Sequence, residues 1–300
     1  MSKKPDYKSA FADFCKYYSR KLDDRPADLT YRFLCSLKFF KDHGYYPRFK
    51  NPRSFSEKIW HRMLFDRNLV WTEISDKLKA RRLVQDKIGD EYLIPLLWEG
   101  TRPEFIPLEK LPERFVVKAN HGCGYNIFVK DKKQISYDKI VGQLNRWLEK
   151  KYTYSSFLGM EWAYENIEPK IYVEMLIEEN GRTPKDYKFF CFSGRAEYLQ
   201  ISFDRFGDAS ERILDRDFNP IEVWNGVKIY RGVIKRPINY EKMLDVAETL
   251  SAGFDFIRVD LYNVKGRIYF GEYTCYPAAG LAPFVPRKWD FIFGEKWIIK

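Results

Sequence analysis

The chain has 300 residues, enough for one large domain or two small ones with a real core. A hydrophobic fraction of 45% and an aromatic fraction of 18% exclude a disordered chain, and no run approaches the roughly 18–20 apolar residues that span a bilayer. The formal net charge of +10 asks for an anionic partner, but the scattered basic residues build no zinc-finger, RRM or basic-zipper pattern, which argues against nucleic acid.

The five cysteines (Cys15, Cys35, Cys123, Cys191, Cys275) are odd in number and dispersed, and the histidines are only His43, His61 and His121. This argues against a disulfide framework and against a zinc site. The first residues carry no apolar secretion-signal core. The expectation is a reduced, cytoplasmic protein.

In chain order, residues 11–43 read as helical, with Phe11, Phe14, Cys15 and Tyr18 at helical spacing and a break at Arg25-Pro26. A Pro-rich extended stretch then leads to a helix capped at Ser54 or Ser56, with Glu57 completing a capping box for the Ser54 choice. Another helix is predicted from Asp76 to Lys87, stopped by Gly89. The period then changes. "YLIPLLWEG" and "FVVKA" read as strands, and "YDKIVGQLNRWLEKKY" returns to helical spacing. "KIYVEMLIEE", "DYKFFCFSGRAEYLQISF" and "RILDRDF" form a strand-rich block with a turn at Ser193-Gly194. "NYEKMLDVAETLSAG" is a helix ended by Gly253, and the strands "FIRVDLYN" and "RIYFGEYT" follow. The expected class is α+β.

Four stretches carry possible chemistry. In "FVVKANHGCGYNIFVK", Gly122 and Gly124 permit close backbone approach to phosphate, and Lys118 supplies a point charge; taken alone, the stretch favours a plain hairpin turn with a surface lysine. In "RVDLYNVKGRIYFGEYT", a three-residue loop Val264-Lys265-Gly266 would set Asn263 against Arg267, Asp260 against Phe270 and Arg258 against Glu272. Arg258, Asp260, Glu272 and Thr274 then share one face, with the two acids as diagonal neighbours. Such a pair suits a hard divalent ion, or else is a solvated face with an Arg258–Glu272 pair. "YVEMLIEE" offers an acid and an apolar triplet that can meet adenine through its backbone, or an ordinary buried strand. "SDKLKARRLV" places Lys77 in the first turn of a helix, whose charges otherwise suit a solvated face. No covalent-catalysis site stands out; Cys123 near His121 is the nearest approach to one.

The order of these pieces resembles the ATP-grasp superfamily of carboxylate–amine ligases, most nearly its teichuronopeptide-biosynthesis (TupA-like) family. "NPRSFSEKIWHRML", "SDKLKARRLVQDKIGDEYLIPLL", "FVVKANHGCGYNI", "DYKFFCFSG" and "FIRVDLYNVKGRIYFGEYTCYP" look like that family's blocks, from about residue 45 to 290. The resemblance implies an ATP-grasp fold, two α+β subdomains clasping ATP. Its expected limits are a helical region 1–72, then a domain 73–295 divided into 73–173 and 174–295. It implies that Lys77, Lys118 and Lys188 contact ATP phosphates and that His121, Gly122, Cys123, Gly124, Tyr125 and Asn126 form a flap. Glu174, Met175, Leu176 and Ile177 would be the adenine hinge, and Asp260 and Glu272 would hold magnesium. Arg258 would steady the acyl phosphate or the departing phosphate, and Arg258 and Lys118 are the catalytic residues the resemblance implies. Thr274 stands where many ATP-grasp enzymes have an asparagine metal ligand.

The implied activity is ATP-dependent amide formation through an acyl phosphate, in surface-polysaccharide biosynthesis (capsule, O-antigen or teichuronopeptide-like). The partners expected are an anionic sugar such as a uronic acid, small or lipid-linked, and an amine or amino acid, with peripheral contact to the inner membrane surface. Two alternatives are a glycosyltransferase using a nucleotide sugar and a non-catalytic module binding an anionic polymer.

Overall fold

The computed structural model describes residues 29–150, 161–179, 181–203 and 208–299. Phe11, Phe14, Cys15, Tyr18 and the Arg25-Pro26 break lie outside them. Two antiparallel sheets organise the rest. The first has four strands in the order β1-β4-β2-β3: β1 (Leu96–Gly100), β2 (Phe115–Ala119), β3 (Asn126–Val129) and β4 (Ile171–Met175). The second has five in the order β7-β6-β5-β8-β9: β5 (Asp186–Phe192), β6 (Arg195–Phe203), β7 (Ser210–Asp215), β8 (Phe256–Val264) and β9 (Arg267–Thr274).

The helices are α1 (Leu29–His43), α2 (Phe55–Phe65), α3 (Val70–Ser75), α4 (Lys77–Ile88), α5 (Tyr137–Glu149), α6 (Tyr240–Ser251) and α7 (Lys288–Lys296). Their ends follow from local chemistry. Ser54 accepts from the Glu57 amide while the Glu57 carboxylate accepts from the Ser54 amide, a complete capping box that starts α2. Asp76 caps α4 by accepting from the Leu78 and Lys79 amides. The helices α3 and α7 escape a reading by periodicity, since each is short.

Each sheet buries one face differently. In the first, Phe115, Val117, Val129, Ile171 and Val173 pack with Leu144 and Trp147 of α5. In the second, Phe189, Cys191, Leu199, Val259 and Leu261 sit beneath Met243, Ala247 and Leu250 of α6 in one core. Side chains alternate along a strand, so the opposite face carries Lys188, Phe190 and Phe192 from β5. Its apolar end is covered by α2 and α7: the Phe55 ring meets Phe190, Phe192, Phe256, Phe293 and Trp297 at centroid separations of 4.9–6.1 Å. Its polar end is left open.

Two expected limits differ from this arrangement. All five residues of β4 pair with β1 or β2, so the first sheet runs on through Met175 and a border at 173/174 would cut it. Residues 29–65 do not stand apart as a preceding region, because Tyr31, Cys35, Phe39, Phe55 and Trp60 belong to the core of the second sheet. Among the described residues, no helix is long and apolar enough to cross a membrane.

Candidate active site

The polar end of the second sheet is built row by row. Gln200 on β6 opposes Lys188 on β5, which opposes Asp260 on β8, which opposes Glu272 on β9. At about 4.8 Å per strand this row spans roughly 14 Å. The next row places Arg258 opposite Thr274. The common face expected for Arg258, Asp260, Glu272 and Thr274 is present, but the register behind it is not the expected one.

The β8–β9 turn has two residues rather than three. Val264 opposes Arg267, and Lys265 and Gly266 both have positive φ, 51° and 85°. That turn alone would set Asp260 against Gly271 and put Glu272 on the other face. A bulge between Asp260 and Leu261 absorbs Gly271, so Leu261 opposes Phe270 while Asp260 opposes Glu272 directly. A Cβ at position 271 would lie 3.1 Å from both the Asp260 carbonyl oxygen and a Tyr262 ring carbon. Glycine is what the bulge accommodates.

Arg258 organises the acids. Its Nε and Nη2 donate to the two Asp260 oxygens at 2.7 Å each, Nη2 also donates to Thr274 Oγ1 at 2.9 Å, and Glu272 lies 3.8 Å away. Burial works against its charge, yet Asp260 and Glu272 hold the Arg258 pKa above its ordinary value. Burial raises the Asp260 carboxyl, and Arg258 opposes that rise. Thr274 is turned toward the guanidinium, which weakens the case for it as a metal ligand. Among the described residues no three His, Cys, Asp or Glu side chains gather as a complete metal cage. A magnesium ion needs no such cage, since one or two carboxylates plus substrate phosphates suffice. The Asp260–Glu272 pair fits that requirement.

Lys188 points along the same face but is held toward β6 and β7, with Ser202 Oγ at 2.7 Å and Glu211 at 3.4 Å.

Residues of the first sheet face this row. Lys77, Lys118, Glu174, Tyr262 and Glu272 line one narrow cavity. Lys77 opens α4 and donates through Nζ to the Gly122 carbonyl. Desolvation lowers its pKa, while the charge of Glu272 opposes the shift. Lys118 on β2 pairs with the buried Glu174 of β4, whose other oxygen lies 3.5 Å from Arg81. Val116, Lys118, Phe128, Met175, Leu176 and Ile177 line an adjoining cavity of about 60 Å³. There the Met175 amide is already engaged with the Pro95 carbonyl at 3.0 Å.

The loop from His121 to Asn126 divides in two. His121 is buried, and its Nε2 donates to the last carbonyls of α5, Trp147 at 3.1 Å and Lys150 at 3.2 Å. Tyr125 stacks on Trp147 at 5.1 Å. These two side chains therefore anchor the loop against α5, while desolvation, together with the Lys77 charge that reaches His121, lowers the His121 pKa. Asn126 already belongs to β3. Gly122, Cys123 and Gly124 remain the tip, with Cys123 exposed and Gly124 at φ +77° with open space around it.

Two contributors escape a reading of motifs. Asn120, fully buried, donates to Asp76 at 2.9 Å and accepts from the Lys170 amide at 2.7 Å, tying the start of α4 to the loop and to the approach to β4. Its only sequence signal is a polar residue ending an apolar strand. A further cavity of about 240 Å³ lies beside Arg258 and Lys188, bounded by Phe55, Gln200, Glu211 and Asn225. Its wall at Ala278–Gly280 has three consecutive residues at positive φ, and His43 and Trp60 both donate to the Gly280 carbonyl at 2.9 Å.

The chain is similar to several known proteins. Solved structures that it resembles include the D-alanine–D-alanine ligase of Bacillus anthracis complexed with ATP (17% identity, 68% of this chain and 54% of that one, TM-score 0.39). Others are the D-alanine–D-alanine ligase of Helicobacter pylori (13%, 76% and 59%, 0.41) and the ATP-grasp ligase PsnB with its minimal precursor (11%, 69% and 54%, 0.38). The chain spans a little over half the length of these ligases. No curated protein matches it. The family model described as TupA-like ATPgrasp matches residues 57–298, and the chain belongs to that family.

Proposed function

We propose that the protein is an ATP-dependent carboxylate–amine ligase. The carrying observation is the single cavity in which Lys77 and Lys118 of the first lobe face Glu272 of the second, with Asp260 and Arg258 beside it. ATP is assigned to the cleft, with Lys77, Lys118 and the tip Gly122–Gly124 at its phosphates and Glu174–Ile177 beside its adenine. Asp260 and Glu272 would hold a magnesium ion, which would neutralise phosphate charge. The two-lobed unit is taken as residues 73–295, with residues 29–65 as its buttress.

In the reaction a substrate carboxylate oxygen attacks the γ-phosphorus, the bond to the β-phosphate bridging oxygen breaks, and ADP leaves. An amine then attacks the acyl carbon, loses a proton, and inorganic phosphate departs. Positioning and fixed positive charge drive the first step, which suits a site with two lysines and an arginine. The acceptor is assigned to the cavity beside Arg258 and Lys188. Arg258 and Lys188, amide side chains at Gln200 and Asn225, and the Phe55 ring suit an acidic sugar such as a uronic acid, with Glu211 beside Lys188 as the one acid of the lining. Surface-polysaccharide assembly in the cytoplasm, on a small or lipid-linked acceptor, is the setting proposed.

The test is thermal stabilisation by ATP, ADP and nucleotide sugars, with and without magnesium. Stabilisation by ATP with magnesium, lost in Lys118→Ala and Glu272→Gln, is expected. Response to a nucleotide sugar alone would replace the ligase with a glycosyltransferase, and indifference to both would leave a binding module.

A further inference from the structure

Helix α1 is apolar on two faces. Tyr31, Cys35, Phe39 and His43 face inward. Leu29, Phe33, Leu37 and Phe40 face outward and are 77%, 61%, 39% and 42% exposed. At 100° per residue these four fall within an arc of about 80°, a continuous stripe. Tyr46, 64% exposed, extends it by stacking on Phe40 at 4.6 Å. A helix of a globular domain normally buries one such stripe, and a second one facing outward marks an interaction surface.

Charge selects the partner. Residues 29–54 hold six basic residues (Arg32, Lys38, Lys41, Arg48, Lys50, Arg53) against one acid, Asp42, which is paired with Lys38. Lys41 lies next to the stripe on α1, Arg48 and Lys50 are exposed in the segment that follows it, and Arg287 sits over the Tyr45 ring at 5.3 Å. A second copy docking on the same patch would set cation against cation. Residues 1–28 hold seven basic residues and five acids, so they bring no negative balance either. Nucleic acid or an acidic polymer would satisfy the cations but leave Leu29, Phe33 and Leu37 against polar groups. A surface anionic at its face and apolar beneath satisfies both.

We propose that α1 lies in the headgroup plane of an anionic lipid bilayer, with Phe33 and Phe40 inserted and Lys41, Arg48 and Lys50 at the phosphates. The inner face of the same helix supports the acceptor cavity, since His43 holds the Gly280 carbonyl in its wall. Docking would therefore set that cavity about one helix diameter, roughly 10 Å, from the lipid. This last step rests on the ligase reading and makes the acceptor membrane-confined.

The experiment is cosedimentation of the full chain with vesicles of phosphatidylcholine alone and of phosphatidylcholine with phosphatidylglycerol. Binding is expected only to the anionic vesicles, weakened by salt. Phe33→Ser/Phe40→Ser should weaken it at least about tenfold, and Lys41→Glu/Lys50→Glu about fivefold per charge or more, with thermal midpoints unchanged. Absence of anionic-vesicle binding, or undiminished binding by the Phe33→Ser/Phe40→Ser chain, overturns the proposal. So does a dimer that this double variant converts to monomer, or a midpoint lowered by several degrees, which would show the stripe covered by another copy or by residues 1–28. The assay contains no ATP, so failure of the ligase reading leaves the docking result standing, and the reverse.

Discussion

Asp260 and Glu272 stand directly opposite one another because Gly271 is tucked into a bulge between them and the turn. The acids thus share a face only while that bulge persists. Gly271→Val would press a branched side chain on the Asp260 carbonyl and the Tyr262 ring. The strand can relieve this by moving the bulge, which turns Glu272 away. The expected outcome is loss of magnesium-dependent stabilisation by ATP, with a fold destabilised by only about 1–3 kcal/mol. Retained magnesium dependence in a titration of the variant would show that the bulge does not set the acid pair.

The same hairpin shows what sequence can and cannot deliver. Alternation alone puts Arg258 with Asp260 and Glu272 with Thr274, and an assumed three-residue loop places the pairs on one face. The actual turn has two residues, and the bulge supplies the compensating extra one. Two departures cancel, so the face comes out as expected while the pairing within it does not. The capping box at Ser54 was legible because it depends on neighbours within three residues, and the helix expected from Asp76 starts one residue later, with Asp76 as its cap. His121 was not. Its partners are carbonyls 26 and 29 residues away at the end of α5, and no local pattern reports such a contact. Asn120 and Arg81 escaped for the same reason, since their roles exist only when α4, β2 and β4 are already assembled.

Lys77 donates to the Gly122 carbonyl, so the loop tip is tied to the residue expected to meet phosphate. Phosphate would compete for the same ammonium, and desolvation of Lys77 makes an anionic partner the stronger one. Lys77→Met should therefore loosen residues 122–124 without nucleotide. Hydrogen exchange at these amides should rise several-fold in the variant and change little on adding ATP. Equal exchange in both chains would mean that the loop is held from its His121 side alone.

Glu174 is buried between Lys118 and Arg81, and the consequence is asymmetric. Lys118→Ala leaves Glu174 with Arg81, so stability should fall by about 1–2 kcal/mol while the response to ATP disappears. Glu174→Gln leaves two cations near each other around a neutral amide, and should destabilise by more, about 2–4 kcal/mol. Added ATP should partly restore that variant, because phosphate supplies the missing negative charge near Lys118. Urea unfolding of both variants with and without ATP checks the order. A Glu174→Gln chain unaffected in stability would show the pair to be idle.

Glu161 gives the pH dependence. Burial pushes its carboxyl up from 4.5 to about 8. Below pH 4.5 the group is neutral folded and unfolded, and its stabilising contribution is fully present. As pH rises the unfolded chain releases the proton first, so stability falls and levels off only once the folded carboxyl ionises near pH 8. The total loss over that window is of order 5 kcal/mol. Glu161→Gln removes the titration while keeping a neutral group of the same shape. The variant should match the parent near pH 4 and exceed it increasingly toward pH 8.5, which thermal midpoints taken across that range would measure. Parallel curves for the two chains would mean that the carboxyl titrates in solvent, and the burial argument would fall.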